Sequence, residues 1–124
     1  MVSKSNVNGF AFYWAPVLAY ASLIFYLSSI PSSGLPEWNF DLSILHVPLF
    51  FGLSYLILRA LPSRGVPLWR LFALSIAVST LYGVTDELHQ LFVPGRTFSL
   101  MDMLFDFIGS SLILFKIRMS SNQK

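Results

Sequence analysis

Ionisable side chains gather in one short stretch of an otherwise apolar sequence. This polar stretch, residues 82–109, reads YGVTDELHQLFVPGRTFSLMDMLFDFIG. It holds four of the six acidic residues, one of the two histidines and one arginine: Asp86, Glu87, His89, Arg96, Asp102 and Asp106. Carboxylates and imidazoles together can exchange protons, bind a polar ligand or coordinate a metal ion. The polar stretch is therefore the first place to look for a functional site.

The candidates for acid–base chemistry are His46, Asp86 and Asp106. Asp106 follows Asp102 by one helical turn, about 6 Å along a helix axis, and no helix cap requires it. Asp102 also has a structural role open to it, because Ser99-Leu-Met-Asp102 fits a capping box at a helix start. His46 begins a separate apolar segment, and a histidine near a carboxylate can exchange a proton near neutral pH. The alternative is a structural hydrogen bond between two helices.

A wider set of polar residues is expected to bind a ligand: His46, Asp86, Glu87, Gln90, Arg96, Asp102 and Asp106. Arg96 directly follows the turn at Pro94-Gly95. It is the natural partner for the carboxylates, because leaving them unpaired in a partly desolvated place is costly. We therefore predict that Arg96 neutralises them, with Asp86 as its main partner.

Helical spacing separates the acidic residues of the third apolar segment. Five residues recur at intervals of three and four that place them on one helix face: Ser75, Ser79, Tyr82, Asp86 and Gln90. That face is expected to point into a helical bundle. Glu87 lies on a different face, and we expect it to be more solvated.

A metal site is one further use of these residues. The two histidines and four carboxylates have the ligand chemistry of a zinc or manganese site. However, HExxH is absent, and the order Asp-Glu-Leu-His is not the reversed motif HxxEH. The sequence also contains no phosphate-binding glycine loop. We therefore assign no metal and no cofactor at this point.

The composition as a whole is that of a membrane protein. Of the 124 residues, 55% are hydrophobic and 11% are charged, whereas about a quarter of the residues of a soluble domain are charged. The absence of cysteine excludes disulfides and thiolate chemistry. The isoelectric point is about 9.2, but the basic residues lie in separate loops and form no patch, which argues against a nucleic-acid partner.

Four apolar segments follow one another along the chain. They cover residues 10–30, 43–61, 68–91 and 99–117, and each is close to the length that crosses a bilayer. The first is longer than the apolar core of a signal peptide and ends in a poor cleavage site, so we predict an uncleaved span. The expected fold is an all-α bundle of four transmembrane helices forming a single domain, residues 1–124.

The distribution of charge predicts the orientation of this bundle. With the amino terminus inside, seven of the eight basic residues fall on the inner side: Lys4, Arg59, Arg64, Arg70, Lys116, Arg118 and Lys124. Arg96 and all six acidic residues fall on the outer side. This asymmetry satisfies the positive-inside rule at every loop. Both termini are therefore expected in the cytoplasm, with the polar stretch at the outer face.

Residues 86–102, DELHQLFVPGRTFSLMD, resemble the motif of the VanZ-like family, small bacterial membrane proteins named for a teicoplanin-resistance factor. That motif is similar to Asp-Glu-x-x-Gln-x-Phe, a Pro-Gly-Arg turn and an Asp in the next helix. Six residues match it: Asp86, Glu87, Gln90, Phe92, Arg96 and Asp102. His46 resembles the histidine that begins the family's second span. Asp106 stands where the family pattern has Asn, which adds a charge or a proton to the site.

The resemblance implies a multi-pass protein of the bacterial inner (cytoplasmic) membrane, with the lipid bilayer as its partner. Its outer polar site is expected to bind a lipid headgroup or a cell-wall precursor and to influence susceptibility to glycopeptides such as teicoplanin. Two alternatives stay open: a membrane-embedded hydrolase using the acidic and histidine residues, and a structural membrane subunit. Whether the protein is an enzyme, and its oligomeric state, are left open by the sequence.

Overall fold

A computed structural model describes residues 4–37 and 39–116, and all regular secondary structure in these two ranges is helical. Four α-helices occur in order: α1 Lys4–Ser28, α2 His46–Ala60, α3 Leu68–Gln90 and α4 Leu100–Ser111. Two short 3₁₀ helices, Ser32–Gly34 and Leu42–Leu45, connect α1 to α2. The all-α fold expected from the sequence is confirmed.

Three of the predicted spans are long and apolar enough to cross a membrane. They are Gly9–Ser28, Leu42–Ala60 and Leu68–Gln90. The fourth helix is shorter, because α4 has 12 residues and so covers about 18 Å. The backbone turns at Leu112 and is helical again over residues 113–116, and the predicted end at residue 117 lies outside the described residues. The fourth span stays a prediction.

The burial pattern is the inverse of that in a soluble protein. Large apolar side chains face outward, with Phe25 exposed to 50%, Leu81 to 64% and Phe107 to 51%. Polar side chains such as Ser79 and Ser110 are fully buried. Lys, Arg, Asp and Glu are the side chains that normally cover a soluble fold. Their scarcity on these helix faces fits a bundle whose surrounding solvent is lipid.

Helix α2 is the centre of the bundle. On one side, Phe50, Leu53 and Ile57 of α2 pack against Val17 and Ile24 of α1 to form the apolar core. This contact leaves the opposite side of α2 free for α3 and α4, which pack against it and against each other. The position of α2 therefore decides which ends of the other helices come together.

Small residues let α4 approach its neighbours closely. Gly109 lies against the α2 backbone, where an added Cβ would be 2.9 Å from the Cα of Val47. Next to it, the Ser110 hydroxyl donates to Ser79 Oγ of α3 at 2.8 Å. Ser79 in turn donates to the carbonyl oxygen of Phe50 at 3.4 Å. Close approach with interhelical hydrogen bonds is the usual way that helices associate in lipid.

The turn between α3 and α4 is fixed against the loop that follows α1. The Ser32 N–H donates to the Pro94 carbonyl oxygen at 3.3 Å. Gly95 has a φ of 73°, a left-handed conformation that a residue with a Cβ adopts only at a cost. The Ser32 hydroxyl fills the space that a Cβ of Gly95 would occupy. This contact brings the end of α1, the start of α2, the end of α3 and the start of α4 to one end of the bundle.

The orientation can be tested by cysteine labelling, since the natural sequence has no cysteine. Ser33 and Ser63 are both exposed, and they lie in the loops at opposite ends of α2. In intact cells, Ser33→Cys should react with a membrane-impermeant maleimide and Ser63→Cys should not. The reverse labelling pattern would place the polar stretch in the cytoplasm and refute the predicted orientation.

Candidate functional site

The polar cluster is a group of side chains that meet at one end of the bundle. It consists of His46, Asp86, Glu87, Gln90, Asp102 and Asp106. His46 is the first residue of α2, the next three belong to the last turns of α3, and the two remaining aspartates lie in the first two turns of α4. All four carboxyl groups belong to residues no more than 8% exposed. Buried carboxyl groups at this density need partners, which the chain supplies only in part.

His46 lies between two aspartates of α4. Its Nδ1 and Asp106 Oδ1 are 2.7 Å apart, a hydrogen-bond distance. With Asp106 ionised, its carboxylate can only accept, and the proton of this bond then lies on Nδ1. The other ring nitrogen, Nε2, is 3.5 Å from Asp102 Oδ2. The structure thus brings together His46 and Asp106, two of the three residues that the sequence singled out for acid–base chemistry.

Asp106 fits into the bundle because α3 has a glycine opposite it. A Cβ at Gly83 would collide with the Asp106 carboxyl group. Asp106 is fully buried, and its second oxygen, Oδ2, has no hydrogen-bond partner among the described residues. The carboxyl group is thus held against backbone on one side and against His46 on the other.

Glu87 is placed differently from the prediction. We expected it to be more solvated, but it is fully buried, because the start of α4 packs over the end of α3. Its Oε2 accepts a hydrogen bond from the Ser99 N–H at 2.8 Å. Ser99 Oγ accepts from the Asp102 N–H at 3.1 Å, as the capping box predicts. Glu87 has taken the second half of that box, so the Asp102 carboxyl group is free to face His46.

A cavity of about 160 Å³ lies beside the polar cluster. Its polar lining includes Asp86, whose Oδ2 accepts from Gln90 Nε2 at 3.1 Å. His46 and Arg96 also line it. The apolar wall is formed largely by leucine and isoleucine: Ile24, Leu27, Ile30, Leu35, Leu45 and Leu49. An apolar wall with a few polar groups at one side is the usual composition of a small-molecule site.

The family model for VanZ/LLP1 matches residues 10–119 of the chain. The chain belongs to the VanZ/LLP1 family. The match covers α2, α3 and α4 in full and therefore the whole polar cluster. No curated protein and no solved structure matches the chain. Family membership and the apolar helices together identify a multi-pass membrane protein.

Arg96 of this VanZ-like chain does not form the predicted pair with Asp86. Among the described residues, the ion pairs within 4.0 Å that involve a carboxylate of the cluster are made by His46. The Arg96 N–H donates to the Val93 carbonyl oxygen at 3.1 Å, which folds the turn back on itself. The side chain then reaches the cavity, where its Nε has no hydrogen-bond partner within the described ranges.

His89 is not part of the polar cluster. Its Nε2 is 2.9 Å from Ser29 Oγ, and its ring stacks on Phe25 with centroids 4.3 Å apart. Both partners come from the last part of α1 or the residue just after it. His89 therefore connects α3 to α1. From the sequence we counted His89 among the possible metal ligands. Its position two residues after Glu87 does not show which neighbouring helix its side chain faces.

Sequence reasoning missed part of the cavity wall and one cap. Leu35 and Leu42 lie in the proline-containing loop between the first two predicted spans, and Leu45 lies in the first turn of the predicted second span. The structure places Leu35 directly after the first 3₁₀ helix, and Leu42 and Leu45 in the second. Apolar residues within that proline-containing loop were the available signal. Asp41 caps the second 3₁₀ helix by accepting from the Ser43 N–H at 2.9 Å. That hydrogen bond holds the pKa of the exposed Asp41 carboxyl group below its ordinary value.

Proposed function

We propose that this VanZ-like protein binds a phosphate-bearing membrane lipid at the outer face of the bacterial cytoplasmic membrane. The single observation that carries the proposal is the cavity, in which the Arg96 guanidinium and the Asp86 carboxyl group line one space with a leucine-rich wall. Such a site has a place for a charged headgroup and a place for hydrocarbon. In the orientation predicted from the charge distribution, the cavity lies at the level of the outer lipid headgroups.

Arg96 supplies the phosphate-binding group. A guanidinium donates in a fork that matches two phosphate oxygens. In the part of the chain that the structure describes, Arg96 Nε has no hydrogen-bond partner and no ion pair satisfies its charge within 4.0 Å. A bound phosphate would accept a hydrogen bond from Nε and balance the positive charge of the guanidinium. Arg96 is available for this role because it does not pair with Asp86.

Asp86 restricts the kind of headgroup. Its Oδ2 is occupied by Gln90, but its Oδ1 has no partner among the described residues. A buried carboxylate oxygen repels a bare phosphate and accepts from a hydroxyl, amide or ammonium group. The site therefore favours a headgroup that carries a donor next to its phosphate. Ethanolamine and glycerol phospholipids have this chemistry, as does a polyprenyl-linked sugar precursor of the cell wall.

The size of the cavity fits part of such a lipid. About 160 Å³ is smaller than the roughly 300–1,000 Å³ of a site that encloses a whole small molecule. The cavity therefore takes a headgroup fragment and the first carbons of a chain, while the rest of the chain stays in the bilayer. Among these ligands, a cell-wall precursor would connect the site to the glycopeptide susceptibility that the family resemblance implies.

The Arg96→Ala variant tests this proposal. Loss of a charge-assisted hydrogen bond of about 1.5–3 kcal/mol should weaken lipid binding by roughly tenfold to a hundredfold. Native mass spectrometry of detergent-purified protein, titrated separately with phosphatidylethanolamine, phosphatidylglycerol and a polyprenyl-diphosphate sugar, would measure it. The matched control is Arg64→Ala, which removes an exposed arginine from the loop at the opposite end of the bundle.

The three titrations identify the headgroup, and the two variants test the site. Binding of one lipid that Arg96→Ala weakens and Arg64→Ala leaves unchanged supports the proposal. Equal binding by both variants would show that Arg96 does not hold the headgroup and would reject the cavity as the headgroup site. A further expected consequence is that Arg96→Ala removes any teicoplanin tolerance that the protein confers on a host lacking it.

The hydrogen bond between His46 and Asp106 favours a second candidate function, a membrane-embedded hydrolase. A carboxylate that fixes one ring nitrogen of a histidine leaves the other for general acid–base work. For this function, Asp106→Asn should abolish turnover of a lipid or precursor ester while the protein stays folded. If function survives Asp106→Asn, the hydrogen bond between His46 and Asp106 has a structural role. A structural role is also compatible with the third alternative, a membrane subunit that supports a partner.

A further inference from the structure

We propose that His46, Glu87 and Asp102 bind a divalent transition-metal ion. Each of the three offers one ligand atom, and these atoms lie within 4.8 Å of one another. They come from three different helices, so the fold and not a local motif creates the arrangement. The inference does not rest on lipid binding, because Glu87 and Asp102 do not line the cavity, although His46 borders both sites.

The distance between two of the ligand atoms is that of a coordination shell. His46 Nε2 and Asp102 Oδ2 are 3.5 Å apart, an ion-pair distance that is longer than an ordinary hydrogen bond. Two ligands at about 2.1 Å from a zinc ion with tetrahedral geometry are themselves about 3.4 Å apart. An ion could therefore enter between them with little rearrangement.

The ring nitrogen of His46 that would bind the ion, Nε2, is already oriented for this role. The other ring nitrogen of His46, Nδ1, lies 2.7 Å from Asp106 Oδ1, and this bond turns Nε2 toward Asp102. A carboxylate behind a histidine is the usual support of a metal-bound imidazole, because it fixes the tautomer and the ring orientation. Asp106 is thus a positioning residue for the proposed ion and not one of its ligands.

Buried carboxylate oxygens without hydrogen-bond partners are a second observation, separate from the ligand distances, that favours a bound cation. Glu87 Oε1 and Asp102 Oδ1 have no hydrogen-bond partner among the described residues, although Glu87 is fully buried and Asp102 is 8% exposed. Buried acceptors are normally satisfied, and each exception needs a reason. Arg96 does not supply the cation within 4.0 Å, as shown above. A divalent ion would satisfy these oxygens and offset their charge.

The ligand set indicates which ions to test. One imidazole nitrogen with two carboxylate oxygens suits zinc and manganese better than the all-oxygen ions magnesium and calcium. Three protein ligands also leave a coordination position open. The sequence assigned no metal, because the three ligands are separated by 15 to 41 residues and match no short motif.

The test uses the full-length wild-type protein in detergent. After extensive treatment with EDTA, we expect ZnCl₂ or MnCl₂ at micromolar concentration to raise the melting temperature, whereas MgCl₂ at the same concentration should not. Mass spectrometry of the metal content after dialysis should give close to one ion per chain. Bound manganese can also be followed by electron paramagnetic resonance, which requires no activity assay.

Variants then assign the ion to this cluster. Glu87→Gln and Asp102→Asn should each weaken metal binding by at least tenfold, and Asp106→Asn by about 10- to 100-fold as expected for a supporting carboxylate. Glu37→Gln, which changes an exposed acidic residue, is the matched control and should bind like the wild type. The proposal is overturned if the wild type neither retains nor is stabilised by zinc or manganese. It is also overturned if Asp102→Asn and Glu37→Gln bind equally well.

Discussion

Replacing His46 by alanine is expected to lower the free energy of unfolding by about 3–5 kcal/mol, the usual effect of removing one partner from a buried pair. His46 Nδ1 lies 2.7 Å from Asp106 Oδ1, and the Asp106 side chain is 1% exposed. The truncation leaves the Asp106 carboxyl group with no partner for either oxygen, because Oδ2 already lacks one among the described residues. Neighbouring carboxyl groups cannot relieve this, since they carry the same charge.

Thermal unfolding in detergent would measure the effect, in the presence of EDTA so that loss of a metal ion does not contribute. The control is His89→Ala, which removes the hydrogen bond to Ser29 and the stacking on Phe25 and should cost about 1–3 kcal/mol for the two contacts together. Asp106→Ala and the double variant complete a cycle. The double variant should be more stable than the sum of the single losses predicts, because the unpaired carboxyl group is then absent.

Two results would argue against a buried pair. If His46→Ala and His89→Ala unfold at the same temperature, the contact between His46 and Asp106 contributes no more than the two contacts of His89. If the losses of the single variants add in the double variant, the two side chains are not energetically coupled. Asp106→Asn gives a gentler comparison, since the asparagine Oδ1 can still accept from His46 Nδ1.

The second large effect is expected from Gly109→Ala. The added Cβ would be 2.9 Å from the Cα of Val47 and in contact with the Val47 carbonyl oxygen. These are backbone atoms of α2, so a rotamer change cannot relieve the overlap, and α4 must move away from α2. Overpacking of this kind costs about 1–3 kcal/mol. Since α4 carries Asp102 and Asp106, the same movement should also separate both from His46.

A matched glycine substitution is available in α1. Gly9 has nothing within 4 Å of the place where a Cβ would lie, so Gly9→Ala should keep the stability or raise it by up to about 1 kcal/mol through helix propensity. Melting temperatures of the two variants in the same detergent make the comparison. A Gly109→Ala protein as stable as Gly9→Ala would mean that α4 has room to adjust and that the close contact with Val47 is not required.

Hydrophobicity and charge placement in the sequence alone determined the class of fold. Apolar runs bounded by proline and glycine predicted spans at 10–30, 43–61 and 68–91, whose ends lie within two residues of the apolar spans Gly9–Ser28, Leu42–Ala60 and Leu68–Gln90. The helices themselves differ more, since α1 begins at Lys4 and α2 at His46. Local chemistry was equally readable: Ser99 caps α4, and Pro94-Gly95 forms the turn before it. These features depend on neighbours in the chain, which is why one sequence suffices to predict them. The motif around Asp86 and Arg96 also identified the family before any geometry was known.

The partners of the charged residues were decided only by the tertiary structure. Periodicity placed Glu87 on a separate face and so predicted solvent, but it cannot show that the start of α4 lies over that face. Proximity in sequence paired Arg96 with Asp86, whereas docking of the turn on Ser32 directs Arg96 into the cavity.

His46 shows the same limit most clearly, because it lies 60 residues from Asp106 and yet is hydrogen-bonded to it. Helix formation depends on residues three or four positions apart, so the sequence encodes it locally. The partner of a buried charge depends on which helices pack together and at what height. In this protein two glycines set that packing. Gly83 leaves room for the Asp106 side chain, and Gly109 lets the α2 backbone approach more closely than any side chain would allow.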